Sequence, residues 1–231
     1  MTTLPKPAAL RLQDVSAVLG SGARTVKALS QVNLTVELGE FVAVMGPSGS
    51  GKSTLLNVAG LLLPPTTGHV FIAGIAAENL NKNKATELRR THLGFVFQHY
   101  NMINTLTLRE NVALPLELDG SPTRAALSQA EEALAEVGLD GLGERYPDEV
   151  SGGQVQRAAI ARALIGPRTV LLADEPTGAL DTATSDEVLR VLRKRIDQGA
   201  AGLLVTHEPR LAAWADRTVR MRDGQLWEEG A

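Results

Sequence analysis

Residues 46–54 read GPSGSGKST, directly after the apolar run FVAVM and running into KSTLLNVAGLLL. No other stretch restricts so tightly what this chain can fold into. An apolar run without alternation suits a strand buried on both faces of a sheet. The glycines let consecutive N–H groups turn inward around an anion, where a side chain would block close approach. A helix opening at Lys52 aims the positive end of its dipole at the same point. Strand, loop and helix in this order, with G-x-x-x-x-G-K-S spacing, form a phosphate-binding unit. Gly46, Pro47, Ser48, Gly49, Ser50, Gly51 and Thr54 make its cradle. Lys52 brings positive charge to the β- and γ-phosphates of a nucleotide, and Ser53 offers a hydroxyl to Mg2+.

Other segments supply the sheet. QVNLTVEL alternates, with Val32, Leu34, Val36 and Leu38 on one face, and Gly39-Glu40 then turns the chain. HVFIAG and LGFVFQ read as further strands. TVLLAD and GLLVTH are buried runs that end in polar residues, the place where ligands bind in open α/β sheets. Asp174 ends the first of these and can hold Mg2+. Glu175 beside it can orient and deprotonate a water. The stretch from about 100 to 165 contains no convincing strand. There, Ser121-Pro122 is expected to cap a helix by serine and N1-proline chemistry. That helix stops at Gly138, and another runs from Gly153 to Gly166-Pro167. RTVRMRDGQLWEEG closes the chain as a strand pair, with no appended domain expected beyond it.

VSGGQVQR, residues 150–157, raises a second anion site. Ser151, Gly152, Gly153 and Gln154 combine a hydroxyl with free N–H groups at a helix start, which equally describes an ordinary serine N-cap.

Composition narrows the function classes. Hydrophobic residues are 44% of the 231 and aromatics 3%, so the core is aliphatic. A formal net charge of −3 argues against a nucleic-acid partner. With no cysteine, disulfides and thiolate metal sites are excluded, and His69, His92, His99 and His207 show no ligand spacing. The first residues lack a signal-peptide core, and no apolar run reaches the roughly 18–20 residues of a membrane span. The expectation is a cytoplasmic protein whose membrane role runs through a partner.

GPSGSGKST, VFQ, SGGQ, LLADEPTGALD and VTH, in that order, resemble the nucleotide-binding subunit of an ABC transporter, over roughly residues 8 to 228. The resemblance implies an α/β fold: a P-loop NTPase (RecA-like) core with an N-terminal antiparallel β subdomain and an inserted α-helical subdomain. Residues 1–98 and 166–231 would form core and β subdomain, and 99–165 the helical subdomain. It implies that ATP and Mg2+ are the cofactors and that ATP is hydrolysed to ADP and phosphate.

In such a family Gln98 contacts Mg2+ and the attacking water, and His207 contacts the γ-phosphate. Asp181, in GALD, crosses a dimer interface, although it would also cap the helix that follows. Ser151 and Gly153 close over nucleotide held by a second ATPase subunit, expected to be a copy of this chain. Family members stack adenine on an aromatic residue where this chain has Leu19. Leu19, or else Val26, gives an apolar contact without a π-stack, or Leu19 is simply a buried strand residue.

FVFQHYNMINTLTLRENVALPLEL resembles the branch of lipoprotein-release, macrolide-efflux, peptide-resistance and cell-division ATPases. The implied partner is an integral membrane permease, docking near His99, Tyr100, Asn101 and Met102 and holding the subunit on the inner face of the cell membrane. Tyr100 and Met102 are equally suited to internal packing. The work done is export or extraction, or else an ATP-gated clamp acting through a permease-like partner on a cell-wall enzyme.

Overall fold

The computed structural model describes residues 8–20, 22, 25–78, 80–178 and 180–228. Its centre is a sheet of five parallel strands with one antiparallel neighbour. The parallel strands are β3 (Phe41–Met45), β6 (Leu93–Val96), β7 (Val170–Asp174), β8 (Ala201–Thr206) and β9 (Arg217–Arg222). The antiparallel one is β10 (Gln225–Glu228), and the spatial order is β10-β9-β3-β8-β7-β6. A second, antiparallel sheet holds β1 (Ala8–Leu19), β2 (Val26–Glu37), β4 (Thr67–Ile72) and β5 (Ile75–Ala76), in the order β2-β1-β4-β5.

Alternate residues of the parallel strands enter two different cores, as the two-residue strand period requires. Val42, Val44, Val170, Leu172, Leu203 and Val205 pack with α1 (Lys52–Ala59) and the antiparallel sheet. Phe41, Ala43, Met45, Leu171, Ala173 and Leu204 pack with the helices on the other side. Those helices are α3 (Leu108–Leu118), α4 (Thr123–Glu136), α5 (Gly152–Leu164) and α6 (Thr182–Asp197). Burial on both faces is why these strands read as continuous apolar runs. Two further helices are α2 (Lys82–His92) and α7 (Pro209–Ala212).

Several expectations are corrected. The helix after the glycine loop ends at Ala59, not at Leu63. Gly60 caps it, Leu61 takes a left-handed φ of 57°, and the N–H groups of Leu62 and Leu63 both return to the Asn57 carbonyl. Ser121 does not cap α4. Pro122 occupies the cap position with an extended ψ of 133°, no side chain caps the helix, and the Pro122 carbonyl accepts from Ala125 and Ala126. The proline therefore lies one residue before the position that its fixed φ would suit inside the helix. Helix α2 has no counterpart among the expected elements.

The helices between β6 and β7 are tied by polar contacts to the loop that follows β6, and by packing to the sheet. Fully buried Asn111 donates from Nδ2 to the carbonyls of Ile103, Leu106 and Thr107 and accepts from the Ile103 N–H. Arg162 of α5 donates to the carbonyls of Tyr100 and Asn101, and burial holds its pKa below the usual arginine value. Strand β6 lies hard against α5: a Cβ on Gly94 would sit 2.1 Å from the Ala163 carbonyl oxygen. Backbone cannot yield as a side-chain tip can. Gly94→Ala is therefore expected to lower unfolding stability by about 1–3 kcal/mol, read as a lower urea midpoint. An unchanged midpoint would mean that β6 and α5 separate freely.

Candidate active site

The glycine loop leaves β3 and enters α1 around a bend that two glycines make possible, Gly49 at φ 79° and Gly51 at φ 107°. A Cβ on Gly51 would collide with the Ala28 carbonyl at 2.4 Å. A Cβ on Gly49 would meet nothing within 4 Å, so Gly49 faces the open side of the loop. The β9–β10 hairpin clamps the loop from behind, since the Gly224 N–H donates to the Ser50 carbonyl and Ser30 N–H donates to Gly224. Gly51 precedes α1 without side-chain capping, and the first turn carries no acidic residue. The N–H groups of a first helical turn have no intrahelical partners, so this end attracts an anion. Lys52 Nζ donates to the carbonyls of Gly46 at 2.7 Å and Pro47 at 3.0 Å.

Above the loop lies a cavity of about 660 Å³. Ser48, Gly49, Gly51, Lys52, Ser53 and Thr54 form its floor, and Gln98, Asp174, Glu175 and His207 form one wall. The strand order explains this convergence, because β3, β8 and β7 are neighbours and end side by side. The Ser53 hydroxyl and Asp174 carboxyl line the same cavity. Burial pushes the Asp174 carboxyl pKa up, against the Ser53 hydroxyl; neighbouring Glu175 adds to the rise and Lys52 opposes it. Glu175 takes a left-handed φ of 45°, unusual for a residue with a side chain. Its side chain is only 12% exposed. Oε2 accepts from Thr206 Oγ1 at 2.9 Å, and Oε1 accepts from the His207 N–H at 2.9 Å and from His207 Nδ1 at 2.6 Å. With a carboxylate as acceptor, Nδ1 carries the hydrogen. Thr206, fully buried, is a site residue that no expectation included; its only sequence trace is its place before His207.

Leu19 and Val26 are register partners at the end of the β1–β2 pair and line the same cavity. They are 36% and 61% exposed, so the reading of Leu19 as a buried strand residue fails.

Two groups stand elsewhere. Ser151, Gly152, Gly153 and Gln154 do not line the cavity; within this chain they form the start of α5. Gln154 N–H donates to Ser151 Oγ at 3.3 Å and Ser151 N–H donates to Gln154 Oε1 at 2.8 Å, a reciprocal cap on an exposed surface. Asp181 caps α6, accepting from the N–H groups of Ala183 and Thr184. Hydrogen bonds from the Thr184 side chain and backbone hold its exposed carboxyl below the usual range. Both ordinary capping readings are thus real, whatever else these residues do. Ala179, within GALD, lies outside the described residues.

The donor set suits a polyphosphate with a hard cation. An open glycine cradle, a helix N-terminus and a lysine whose hydrogen bonds run to loop carbonyls meet a hydroxyl–carboxylate pair. Magnesium is typically held by one or two carboxylates plus substrate oxygens. Among the described residues no group of three or more His, Cys, Asp or Glu forms an all-protein metal site. Among them, too, no helix is long and apolar enough to cross a membrane.

Comparison with known proteins bears on this geometry. The family described as ABC transporter matches residues 29–178. A macrolide export ATP-binding/permease protein MacB of Mannheimia succiniciproducens is 41% identical over 220 residues, which cover 95% of this chain and 34% of that protein. Its counterpart in Escherichia coli is 42% identical over 217 residues, 94% of this chain and 34% of that one. The chain spans about a third of the length of these curated relatives. Among solved structures, the dimeric post-hydrolysis state of the ATP-binding cassette MJ0796, bound to ADP and Pi, superposes with a TM-score of 0.90. It is 38% identical and covers 96% of this chain and 99% of that one.

The half-buried carboxyl of Asp174 carries a cost for folding. Because burial favours its protonated form, the folded chain binds that proton more tightly than the unfolded chain, and ionised Asp174 weakens stability as pH rises. Asp174→Asn, without added ligand, should therefore raise the melting temperature at about pH 8, with the gain shrinking as pH falls and the wild-type carboxyl protonates. A lower melting temperature at that pH would contradict the burial argument.

Proposed function

Because the chain belongs to the ABC transporter family, as one of its ATP-hydrolysing cassettes with an α/β P-loop fold, we propose that it closes with a second copy around two ATP molecules and drives an integral membrane permease in export or extraction. The observation that carries this reading is the convergence of Lys52, Ser53, Asp174, Gln98, Glu175 and His207 on one cavity. The glycine loop and Lys52 hold the β- and γ-phosphates. Ser53, Asp174 and Gln98 would hold Mg2+, which supplies charge neutralisation between those phosphates. Glu175 accepts the proton of the attacking water. His207, hydrogen-bonded to Glu175, orients that carboxylate and contacts the γ-phosphate. Catalysis is then positioning and electrostatics, without covalent intermediates.

Ser151 and Gly153 lie away from the chain's own cavity, which supports their use on nucleotide held by the partner copy. Asp181 reaches across the same interface. Residues 99–165 form the helical subdomain, and between it and the sheet a groove lined by Phe95, Phe97, Asn101, Ile103 and Leu118 receives the permease. Exposed Ile103 and Leu118 suit docking, whereas Met102 packs partly buried against the core. The permease places the subunit on the inner face of the membrane. Similarity to macrolide export proteins favours export over a regulatory clamp.

Glu175→Gln should bind ATP, barely hydrolyse it and accumulate as a closed dimer in light scattering. Adding Ser151→Arg should abolish that dimer while leaving monomer affinity for ATP nearly intact. Wild-type hydrolysis by Glu175→Gln, or dimers that persist with Ser151→Arg, would defeat the respective assignments.

Leu19 and Val26 offer the base a flat apolar edge and no ring. A missing aromatic stack removes about 1 kcal/mol, so ATP and GTP should compete on similar terms. A preference for ATP above about 100-fold in competition titrations would contradict this.

A further inference from the structure

The segment after β7 folds back through its own hydrogen bonds. Gly178 N–H donates to the Glu175 carbonyl at 3.2 Å and Leu180 N–H donates to the Thr177 carbonyl at 2.9 Å. The Pro176 carbonyl between them is served from a different element. Gln156 of α5 donates to it from Nε2 at 2.6 Å, and Gln156 is only 1% exposed. A buried carbonyl needs a donor, and Gln156 supplies one through its amide nitrogen, since the amide oxygen can only accept. The bond is attached next to Glu175, whose left-handed backbone persists only because its surroundings hold it.

We propose that Gln156 is a positioning residue that couples the N-terminus of α5 to the aim of the Glu175 carboxylate. The inference rests on the reading of Glu175 and Ser151 given under the proposed function. Ser151 caps α5, and Gln156 follows in the same rigid helix. When the start of α5 closes on nucleotide held by the partner copy, Gln156 moves with it and carries Pro176 along. The base of one site then takes its working orientation as the other site is clamped. The half-site offered to the partner and the chain's own chemistry are thus joined through one buried amide.

Two near-isosteric variants test this in the full chain. Gln156→Met keeps the packing and loses the donor. Its kcat should fall about tenfold, with ATP affinity within about twofold of wild type and ATP-dependent dimerisation retained. Gln156→Glu lacks the donor when ionised and regains one when protonated, and burial raises such a carboxyl pKa. Its rate relative to wild type should climb as pH is lowered from about 8 to about 6, while the ratio for Gln156→Met stays flat. If Gln156→Met fails to fold, the pH response of Gln156→Glu carries the test alone. A wild-type kcat in Gln156→Met, or no recovery of Gln156→Glu at low pH, overturns the coupling. Normal hydrolysis by Glu175→Gln would instead overturn the underlying assignment, and this inference with it.

Discussion

Pairing of β3 with β8 in parallel sets Met45 opposite Thr206, and pairing of β8 with β7 sets Val205 opposite Asp174. The rest of the site depends on that register. The glycine loop begins one residue past Met45, Glu175 follows Asp174, and His207 follows Thr206. A slip of one residue in either pair would send every side chain of a strand into the opposite core and move the site residues out of reach of one another. Both faces of these strands are buried, so the slip would be opposed by the whole apolar packing on each side. The hydrophobic cores thus act on function by holding three strand ends level.

The site built on those ends is poorly suited to being merely stable. A carboxyl is half-buried at Asp174, with its pKa pushed up. Glu175 has a strained backbone conformation, and Ser50 Oγ is buried without a hydrogen-bond partner. Each feature disfavours the fold slightly, and each belongs to the loop or the strand ends around the cavity. Strain and desolvation gathered where phosphate and metal chemistry is expected are a familiar trade of stability for activity. The compensation lies in the aliphatic cores, where the side chains of β3, β7 and β8 are almost wholly removed from water.

Helix α5 joins three parts of the molecule. Its start presents Ser151 and the glycines outward, its middle holds Pro176 through Gln156, and Arg162 near its end holds the backbone at Tyr100 and Asn101. The segments at both ends of these contacts adjoin cavity residues, Glu175 on one side and Gln98 on the other. Helices transmit displacement with little loss because their internal hydrogen bonds resist bending. One element therefore links an exposed helix start, the segment that follows Glu175, and the loop after β6.

How much was legible in the sequence follows from where each signal resides. Strands β3, β7 and β8 announced themselves because burial on both faces leaves an uninterrupted apolar run. Strand β1 did not: its register with β2 shifts repeatedly, and Asp14 breaks its alternation with a left-handed φ of 50°. Helix α2 was silent because only Leu88 in it is buried, leaving almost no apolar face to read. The glycine loop, Asp174 and Glu175 lie in local strings whose chemistry shows without a fold. The fold alone identified Thr206 as the partner of Glu175 and Gln156 as the donor to Pro176, and separated Ser151 from the cavity. By itself, then, the sequence determined the local units: a phosphate loop between strand and helix, acidic residues at a strand end, and capped helices. Tertiary structure decided which of those units meet, because strand order and register are set by long-range burial, which no local stretch of residues encodes.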